Sequence, residues 1–360
     1  MKAAVLREVK KPLTIEDVQI SKPGPHEVLM RTVAAGVCHS DVHFQQGSYM
    51  YPMPAVLGHE AAGVVEEVGS EVSYVQPGDH VISCLSVFCG ECAYCVSGRP
   101  ALCAKVTTRR GPTDPPRLSQ DGDVVHQFLD LSAYAEQMLV HEHAIVKIRD
   151  DMPLDRACLI GCGVTTGLGA VFNTAAIEPG TTVAVIGAGG VGLAAIQGAA
   201  IAGAGRVIAI DMNEQKLELA RSLGATDGIN ASEGNPVEQV QQLTEGGVDY
   251  SFEAIGLKQT TEQAWQMLKN GGTATVIGMI PIGTMIELHG VDFLFEKKIQ
   301  GSNMGSNRFR VDMPRYVDFY LNGKLNLDDM VSQRIKLADV NDAFEAMQRG
   351  EVARSVIMFD

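Results

Sequence analysis

Four cysteines within 15 residues form the densest set of metal-binding side chains in the sequence. They are Cys89, Cys92, Cys95 and Cys103. Thiolates at this spacing can surround one tetrahedral ion, and four of them leave no coordination position open. Because the chain is long and shows no signal-peptide pattern, a metal explains these cysteines better than disulfides. The spacing therefore predicts a closed, structural zinc site.

A second group of side chains that could bind a metal or move a proton is spread along the chain. Two thiolates and one imidazole from it would leave a fourth coordination position open, which is the pattern of a catalytic zinc. A lone Cys or His is more often structural than a ligand, so only the whole group carries weight. Its members are Cys38, His39, Ser40, Asp41, His43, His59, Glu60 and Cys162.

Gly187, Gly189 and Gly192 form a G-x-G-x-x-G motif between a predicted strand, 182–186, and a predicted helix. In that context the glycines allow a tight turn and close approach of a pyrophosphate to the helix N-terminus. Asp211 ends the next predicted strand, 19 residues after Gly192. Its carboxylate would accept hydrogen bonds from an adenosine ribose and repel a 2′-phosphate. The motif thus predicts NAD rather than NADP.

The hydrophobic pattern changes along the chain. The first 150 residues show short alternating runs separated by Pro/Gly turns, which predict β-strands. From about 163, strands and helices alternate up to residue 277, which predicts a doubly wound parallel sheet. Residues 104–131 are polar and proline-rich and are predicted to be a long surface loop, and 284–288 is predicted to be an edge strand.

The chain is strongly acidic, with 29 basic and 43 acidic residues and a formal net charge of −14. Such a surface repels nucleic acid and anionic lipid, so we expect neither as a partner. The uncharged run 179–205 contains eight glycines and is predicted to form a strand, a turn and a buried helix rather than a membrane span. We expect a cytoplasmic location.

Five motifs in order, G-x-C-H-S-D-x-H, G-H-E-x-x-G, C-x-x-C-x-x-C-x7-C, G-C-G-x-T-T-G and G-x-G-x-x-G, resemble those of the zinc-dependent medium-chain alcohol dehydrogenases. The resemblance covers essentially the whole chain. It implies an α/β protein with a GroES-like, β-rich catalytic domain at 1–162 and 304–360. A Rossmann domain with a doubly wound parallel sheet would occupy 163–303.

The resemblance also implies residue roles. Cys38, His59 and Cys162 would bind the catalytic zinc, Ser40 and His43 would relay a proton, Asp41 would orient His59, and Glu60 would lie near the metal. The cofactor would be bound by the glycine motif and Asp211 together with His39, Thr166, Val191, Lys216 and Arg354. Leu85, Tyr49 and Met279 would line the substrate pocket.

The implied enzyme carries NAD and two Zn²⁺ per chain and oxidises primary, and in some cases secondary, apolar or aromatic alcohols reversibly by hydride transfer from a zinc-bound alkoxide. An alternative is a thiol-adduct formaldehyde dehydrogenase, which the stretch 247–253 and the long loop resemble. Tyr49 and Thr107 disfavour the glutathione-using form, which has an acidic residue and an Arg there. A non-enzymatic NAD-binding protein is disfavoured because the sequence retains all the zinc ligands and proton-relay residues that the resemblance implies. A homodimer is expected, with a tetramer as the alternative.

Overall fold

The computed structural model describes residues 1–104, 106–111 and 113–359, and the chain forms two compact units. The first contains Met1–Cys162, Arg308–Gly323 and Val331–Asp360, and the second contains Gly163–Asn307 and Lys324–Met330. The predicted boundary lay at 303, and the segment 324–330 was expected in the catalytic domain. This segment is held to the second unit because Gln197 accepts a hydrogen bond from Asn326 N and donates one to Asn326 O.

The strands and helices have the following bounds. The strands are β1 Lys2–Leu6, β2 Thr14–Asp17, β3 Gln19–Ile20, β4 Glu27–Gly36, β5 Ala55–Val56, β6 Ala61–Val68, β7 His80–Ser83, β8 Leu118–Gln120, β9 Asp123–Val124, β10 His126–Gln127, β11 Gln137–His141, β12 Ile145–Lys147, β13 Thr182–Ile186, β14 Arg206–Asp211, β15 Asp227–Asn230, β16 Val248–Glu253, β17 Leu268–Val276, β18 Lys298–Gly301, β19 Gln333–Ile335 and β20 Ser355–Met358. The α-helices are α1 His39–Gln45, α2 Ala93–Val96, α3 Leu154–Leu159, α4 Thr165–Gly169, α5 Gly190–Ile201, α6 Glu214–Ser222, α7 Pro236–Leu243, α8 Lys258–Gln266, α9 Phe309–Leu321 and α10 Val340–Gln348.

The first unit is rich in β-strands, as the alternating runs predicted. Its sheets are mainly antiparallel, but β5 pairs with β10 and β19 with β20 in parallel. Its largest sheet has the order β12-β7-β6-β4-β20-β19, with β11 also paired to β4. The C-terminal strand β20 returns to this sheet, where Ile357 lies opposite Ala35 of β4. Residues far apart in sequence, among them Leu57, Tyr134 and Phe344, share one buried core below it. The core therefore fixes the segments that carry the metal-binding side chains.

The second unit is the predicted doubly wound parallel sheet, with the order β15-β14-β13-β16-β17-β18. Its central strand β13 is apolar and buried from Val183 to Ile186, as expected of a strand covered on both faces. No sequence pattern predicted β15, α7 or β18, since these short elements lack a long apolar run. The edge strand predicted at 284–288 is wrong. That segment is exposed and irregular, and β18 is the edge strand instead.

The uncharged run 179–205 forms β13, the glycine turn and α5, which confirms the prediction for it. A different helical segment, Leu154–Ala175, is long and apolar enough to cross a bilayer. Of its most apolar window, 83% is buried inside the protein, as in the core helix of a globular fold. This segment includes π-helical turns at Ile160–Val164 and Ala170–Ala175.

The predicted surface loop 104–131 is tied to the large sheet through Glu27, at the start of β4. Arg110 donates hydrogen bonds to both carboxylate oxygens of Glu27, and the nearly buried Arg117 donates through Nε at 2.7 Å. Burial opposes ionisation of Glu27, but the two arginines outweigh it and lower the pKa of this carboxyl to about 2. The loop also contains β8, β9 and β10, so it is more regular than predicted.

Replacing Glu27 with Gln should lower the free energy of unfolding at pH 7 by about 3 kcal/mol, because two arginines lose a buried partner. Since folding depresses the pKa of Glu27, its contribution is present above the ordinary value of 4.5 and is lost as the pH falls toward about 2. Urea unfolding should show that the difference in unfolding free energy between wild type and Glu27→Gln is smaller at pH 3 than at pH 7. Glu67→Gln, an exposed carboxylate on β6, is the control. Equal effects of both variants would contradict the prediction.

Candidate metal centres and dinucleotide site

The four cysteines of the dense set converge on one point. Their sulfur atoms lie 3.5–3.9 Å apart in the four measured pairs. Four Zn–S bonds of about 2.3 Å place the sulfurs about 3.8 Å apart, so the donor set fits a tetrahedral zinc. Backbone N–H groups also point at the sulfurs, and they lower the pKa of Cys89 and bring that of Cys92 to about 6. The thiolate forms that a metal requires are thus favoured at Cys89 and Cys92, whereas burial raises the pKa of Cys95 to about 12.

Three of the dispersed side chains, Cys38, His59 and Cys162, also come together. One donor atom from each lies within 4.8 Å of the others, and all three residues are buried. Cys38 stands immediately before α1, His59 follows the turn between β5 and β6, and Cys162 lies in the π-turn that interrupts a helical segment. Such π-turns are frequent at functional sites. Folding therefore selects His59, rather than His39 or His43, as the imidazole of this cluster.

Asp41 holds His59 in place. Its carboxylate is completely buried and accepts hydrogen bonds from Gly58 N at 3.0 Å, His59 Nδ1 at 3.2 Å and the Tyr134 hydroxyl at 2.8 Å. Gly58 has a φ of +88°, and a Cβ there would lie 2.5 Å from the Tyr134 ring. Because Nδ1 is used, Nε2 is left as the ligand atom, and it has no hydrogen-bond partner among the described residues. A buried, unsatisfied nitrogen between two sulfurs fits a metal ion.

The pKa values of the two thiols of this cluster shift in opposite directions. The hydrogen bond with Cys162, together with the charges of Arg354 and His59, lowers the pKa of Cys38 well below its ordinary value, and the pKa of Cys162 rises correspondingly. The Ser40 hydroxyl lies 3.8 Å from Cys38 Sγ. The structure therefore brings the predicted relay serine to the edge of the metal cluster.

Glu60 and Arg354 form a buried pair beside the cluster. Arg354 is 4% exposed, its Nη1 lies 3.8 Å from Glu60 Oε2, and it also donates to Val37 O. Burial opposes the charge of Arg354, but the negative groups around it raise the pKa of its guanidinium. Sequence resemblance assigned Arg354 to the pyrophosphate and Glu60 to the metal region. The structure adds their direct ion pair, and the pyrophosphate role stays a prediction.

His43, the second predicted relay residue, lies on α1 with its ring 6.3 Å from that of Tyr49. Burial lowers the pKa of His43, so the ring is neutral at pH 7 and able to accept a proton. Leu85 is partly buried against the hydrophobic core of the first unit. His39 is exposed at the start of α1. Two of the three predicted pocket residues, Tyr49 and Leu85, therefore belong to the unit that holds the metal clusters.

The glycine motif forms the turn between β13 and α5. Gly187 has a φ of +97°, and a Cβ on Gly192 would lie 1.7 Å from Gly187 O, so neither position tolerates a side chain. A Cβ on Gly189 would meet open space, so a ligand can approach the turn there. Asp211 accepts hydrogen bonds from Ala188 N and Asn213 N. Its carboxylate therefore shapes the turn, in addition to the predicted ribose contact.

The other predicted cofactor residues are all in the second unit except His39 and Arg354. Val191 is the second residue of α5, Lys216 is half-buried on α6, and Thr166 is buried on α4 with its hydroxyl donating to Met304 Sδ. Met279, the third pocket residue, follows β17 and is half-buried. Tyr134 was missed by the sequence analysis. A buried tyrosine needs a hydroxyl partner, but the sequence carries no signal that the partner is Asp41.

The chain matches the alcohol dehydrogenase GroES-like domain over residues 24–150 and the zinc-binding dehydrogenase domain over 190–322. It is 40% identical to alcohol dehydrogenase class-3 of Zea mays, covering 99% of this chain and 96% of that protein. Among solved structures, benzyl alcohol dehydrogenase from Acinetobacter calcoaceticus superposes with a TM-score of 0.94 at 32% identity, covering 100% of this chain and 99% of that one. An alcohol dehydrogenase zinc-binding domain protein from Burkholderia ambifaria superposes with a TM-score of 0.95 at 35% identity, covering 100% of this chain and 98% of that one.

A doubly wound nucleotide-binding sheet, a buried Cys₂His donor set and a Cys₄ cluster define a zinc-dependent dehydrogenase. The full-length similarity narrows this class. The chain belongs to the zinc-dependent medium-chain alcohol dehydrogenases and is an oxidoreductase of that family.

Tyr134→Phe should weaken zinc binding at Cys38, His59 and Cys162 about tenfold, because Asp41 then loses one of the bonds that orient His59. Zinc retained per chain would be measured against increasing chelator. Tyr51→Phe is the control, since the Tyr51 hydroxyl bonds backbone groups of Gln127 and Leu129 rather than Asp41. Indistinguishable chelator curves for the two variants would rule out the role of Tyr134.

Proposed function

We propose that this protein is an NAD-dependent alcohol dehydrogenase with one zinc at Cys38, His59 and Cys162 and a second at the Cys₄ cluster. The observation that carries the proposal is the convergence of three buried donors around a His59 Nε2 that lacks a hydrogen-bond partner in the described part of the chain. Three protein ligands leave a coordination position for substrate, whereas the Cys₄ set is closed.

When bound, zinc supplies Lewis acidity toward an alcohol oxygen, and NAD supplies a hydride acceptor. Ser40, beside Cys38, is placed to take the hydroxyl proton of an alcohol at the cluster. His43, three residues further along α1, receives that proton because its lowered pKa keeps the ring neutral at pH 7. Asp41 keeps the His59 ring oriented throughout. The chain thus supplies a path by which the proton leaves.

We propose primary alcohols with apolar or aromatic substituents as substrates. The predicted pocket residues, Leu85, Tyr49 and Met279, are uncharged and offer apolar or aromatic surface. The similarity to a benzyl alcohol dehydrogenase supports aromatic alcohols in particular. Hydrophobic pockets discriminate weakly between alkyl groups, so a range of such alcohols is expected.

A thiol-adduct substrate is the second candidate, since several relatives are named alcohol dehydrogenase class-3. An anionic adduct would need a basic partner, and the sequence of the long loop offers Arg109 and Arg110 for this role. Arg109 is paired with Asp130, and Arg110 with Glu27 and three further oxygen atoms. Both arginines are therefore engaged within the protein, and this observation disfavours the second candidate.

A substrate panel tests the proposal. Benzyl alcohol, ethanol and S-hydroxymethylglutathione would be assayed with NAD⁺ and NADP⁺. Benzyl alcohol with NAD⁺ should give the highest kcat/KM, and NADP⁺ should be at least about 100-fold poorer because Asp211 repels the 2′-phosphate. Ser40→Ala should lower kcat by at least about 100-fold with zinc content unchanged. Activity on the thiol adduct alone would contradict the proposed substrate class. Full activity in Ser40→Ala would contradict the proposed role of Ser40 in proton transfer.

We also propose that the protein is a homodimer formed through the segment that includes 282–295. Ile282, Met285 and Leu294 are each at least 78% exposed there, next to the edge strand β18. Exposed apolar residues so clustered mark an interaction surface. Light scattering should give twice the 38.5 kDa chain mass, about 77 kDa, and Leu294→Glu should give the monomer. A wild-type protein at 38.5 kDa would refute the dimer.

A further inference from the structure

A carboxylate with an unusual environment lies at the C-terminal end of β16. Glu253 is completely buried. Its Oε1 accepts three hydrogen bonds, from Ile255 N at 2.9 Å, Gly256 N at 2.7 Å and Thr260 Oγ1 at 2.8 Å. Its Oε2 accepts none from the residues that the structure describes. A buried carboxylate oxygen without a hydrogen-bond partner destabilises the folded protein unless another interaction compensates.

Nothing within the described chain neutralises this charge. Glu253 forms no ion pair with a Lys, Arg or His among residues 1–104, 106–111 and 113–359. Its unpartnered Oε2 lies 2.6 Å from the point that a Cβ on Gly278 would occupy, just beyond the end of β17. The oxygen therefore faces the carboxyl ends of β16 and β17, the edge of a doubly wound sheet where ligands bind.

The sheet order determines which half of a dinucleotide reaches this place. Asp211, the ribose partner, ends β14, and the pyrophosphate turn at Gly187 follows β13. β13 lies between β14 and β16, so a molecule that starts at Asp211 and crosses the glycine turn continues over β16. Glu253 lies opposite Ile186, the last residue of β13. The loop after Glu253 packs on the turn, since Ile255 Cγ1 lies 2.7 Å from a Cβ position on Gly187.

The half that continues over β16 is the nicotinamide half, whose ring is cationic in NAD⁺ and neutral in NADH. We propose that Glu253 is a fixed negative charge that makes this site prefer oxidised over reduced cofactor. The proposal rests on NAD as the cofactor. An unneutralised carboxylate in a poorly hydrated place attracts the cation and leaves the neutral ring almost unaffected. It would thereby strengthen NAD⁺ binding relative to NADH binding and favour NADH release, while the overall equilibrium of the reaction stays unchanged.

The test is the ratio of dissociation constants, Kd for NADH over Kd for NAD⁺, measured by calorimetry on zinc-loaded protein. Glu253→Gln keeps the shape and an oxygen for Ile255 N and Gly256 N but removes the charge, and it should lower the ratio about tenfold. For a two-electron couple a tenfold change equals about 30 mV in the potential of the bound cofactor. The Kd of ADP-ribose, which lacks the ring, should stay within twofold.

A second pair of variants keeps the proposal testable if Glu253→Gln does not fold. Thr260→Lys brings a cation to the same carboxylate from the half-buried start of α8 and should lower the ratio in the same direction. Thr260→Val is its matched control and should leave the ratio within twofold of wild type.

Each outcome has one meaning. If Glu253→Gln or Thr260→Lys weakens NAD⁺, NADH and ADP-ribose equally, the residue only shapes the loop and the proposal is wrong. An unchanged ratio in the folded charge variants also overturns it. If wild-type protein binds neither NAD⁺ nor NADH, it is instead the proposed cofactor that fails.

Discussion

The buried carboxylate of Asp41 is the interaction on which the metal site depends. It has no exposed surface, so every oxygen lone pair that lacks a partner would destabilise the fold. Three donors from two segments satisfy it: the Gly58 amide and the His59 ring of one turn, and the Tyr134 hydroxyl. Meeting this requirement fixes the β5–β6 turn relative to α1 and turns His59 Nε2 toward the two sulfurs. The same hydrogen bonds to Asp41 thus stabilise the core and orient His59 among the three donors.

Carboxylates organise the second unit in a different way. Asp211 and Glu253 both stand at the C-terminal ends of parallel strands and both accept backbone N–H groups of the loops that follow. Parallel strands end at one edge, so these anionic groups flank the glycine turn on either side. In our proposals Asp211 discriminates by repelling a 2′-phosphate, and Glu253 by attracting a cation. Each negative charge would then select between two closely related forms of the cofactor.

The long loop 104–131 shows how ion pairs outside the site bear on specificity. Glu27 binds Arg110 and Arg117, and Asp130 binds Arg109. A basic residue that the sequence leaves available for an anionic substrate is thereby committed to holding the loop against β4. The acidic protein as a whole, at −14, gives no indication of these local balances. Neighbouring charges, rather than net charge, decide what each arginine can bind.

The sequence by itself determined the features whose parts lie close together in the chain. The Cys₄ cluster spans 15 residues and the glycine turn six, so spacing alone predicts their chemistry, and the alternation of apolar strands and helices predicts the parallel sheet. The family resemblance extended this to the dispersed ligands. Short or weakly apolar elements could not be predicted from the sequence. β15 and β18 were not predicted, and the strand predicted at 284–288 does not form. Only the tertiary structure decided that Tyr134 completes the bonds to Asp41, that Arg354 pairs with Glu60, and that Glu253 keeps an unneutralised oxygen. These contacts join residues from separate strands and loops, and no local pattern in the sequence encodes which distant side chain fills a buried hydrogen bond.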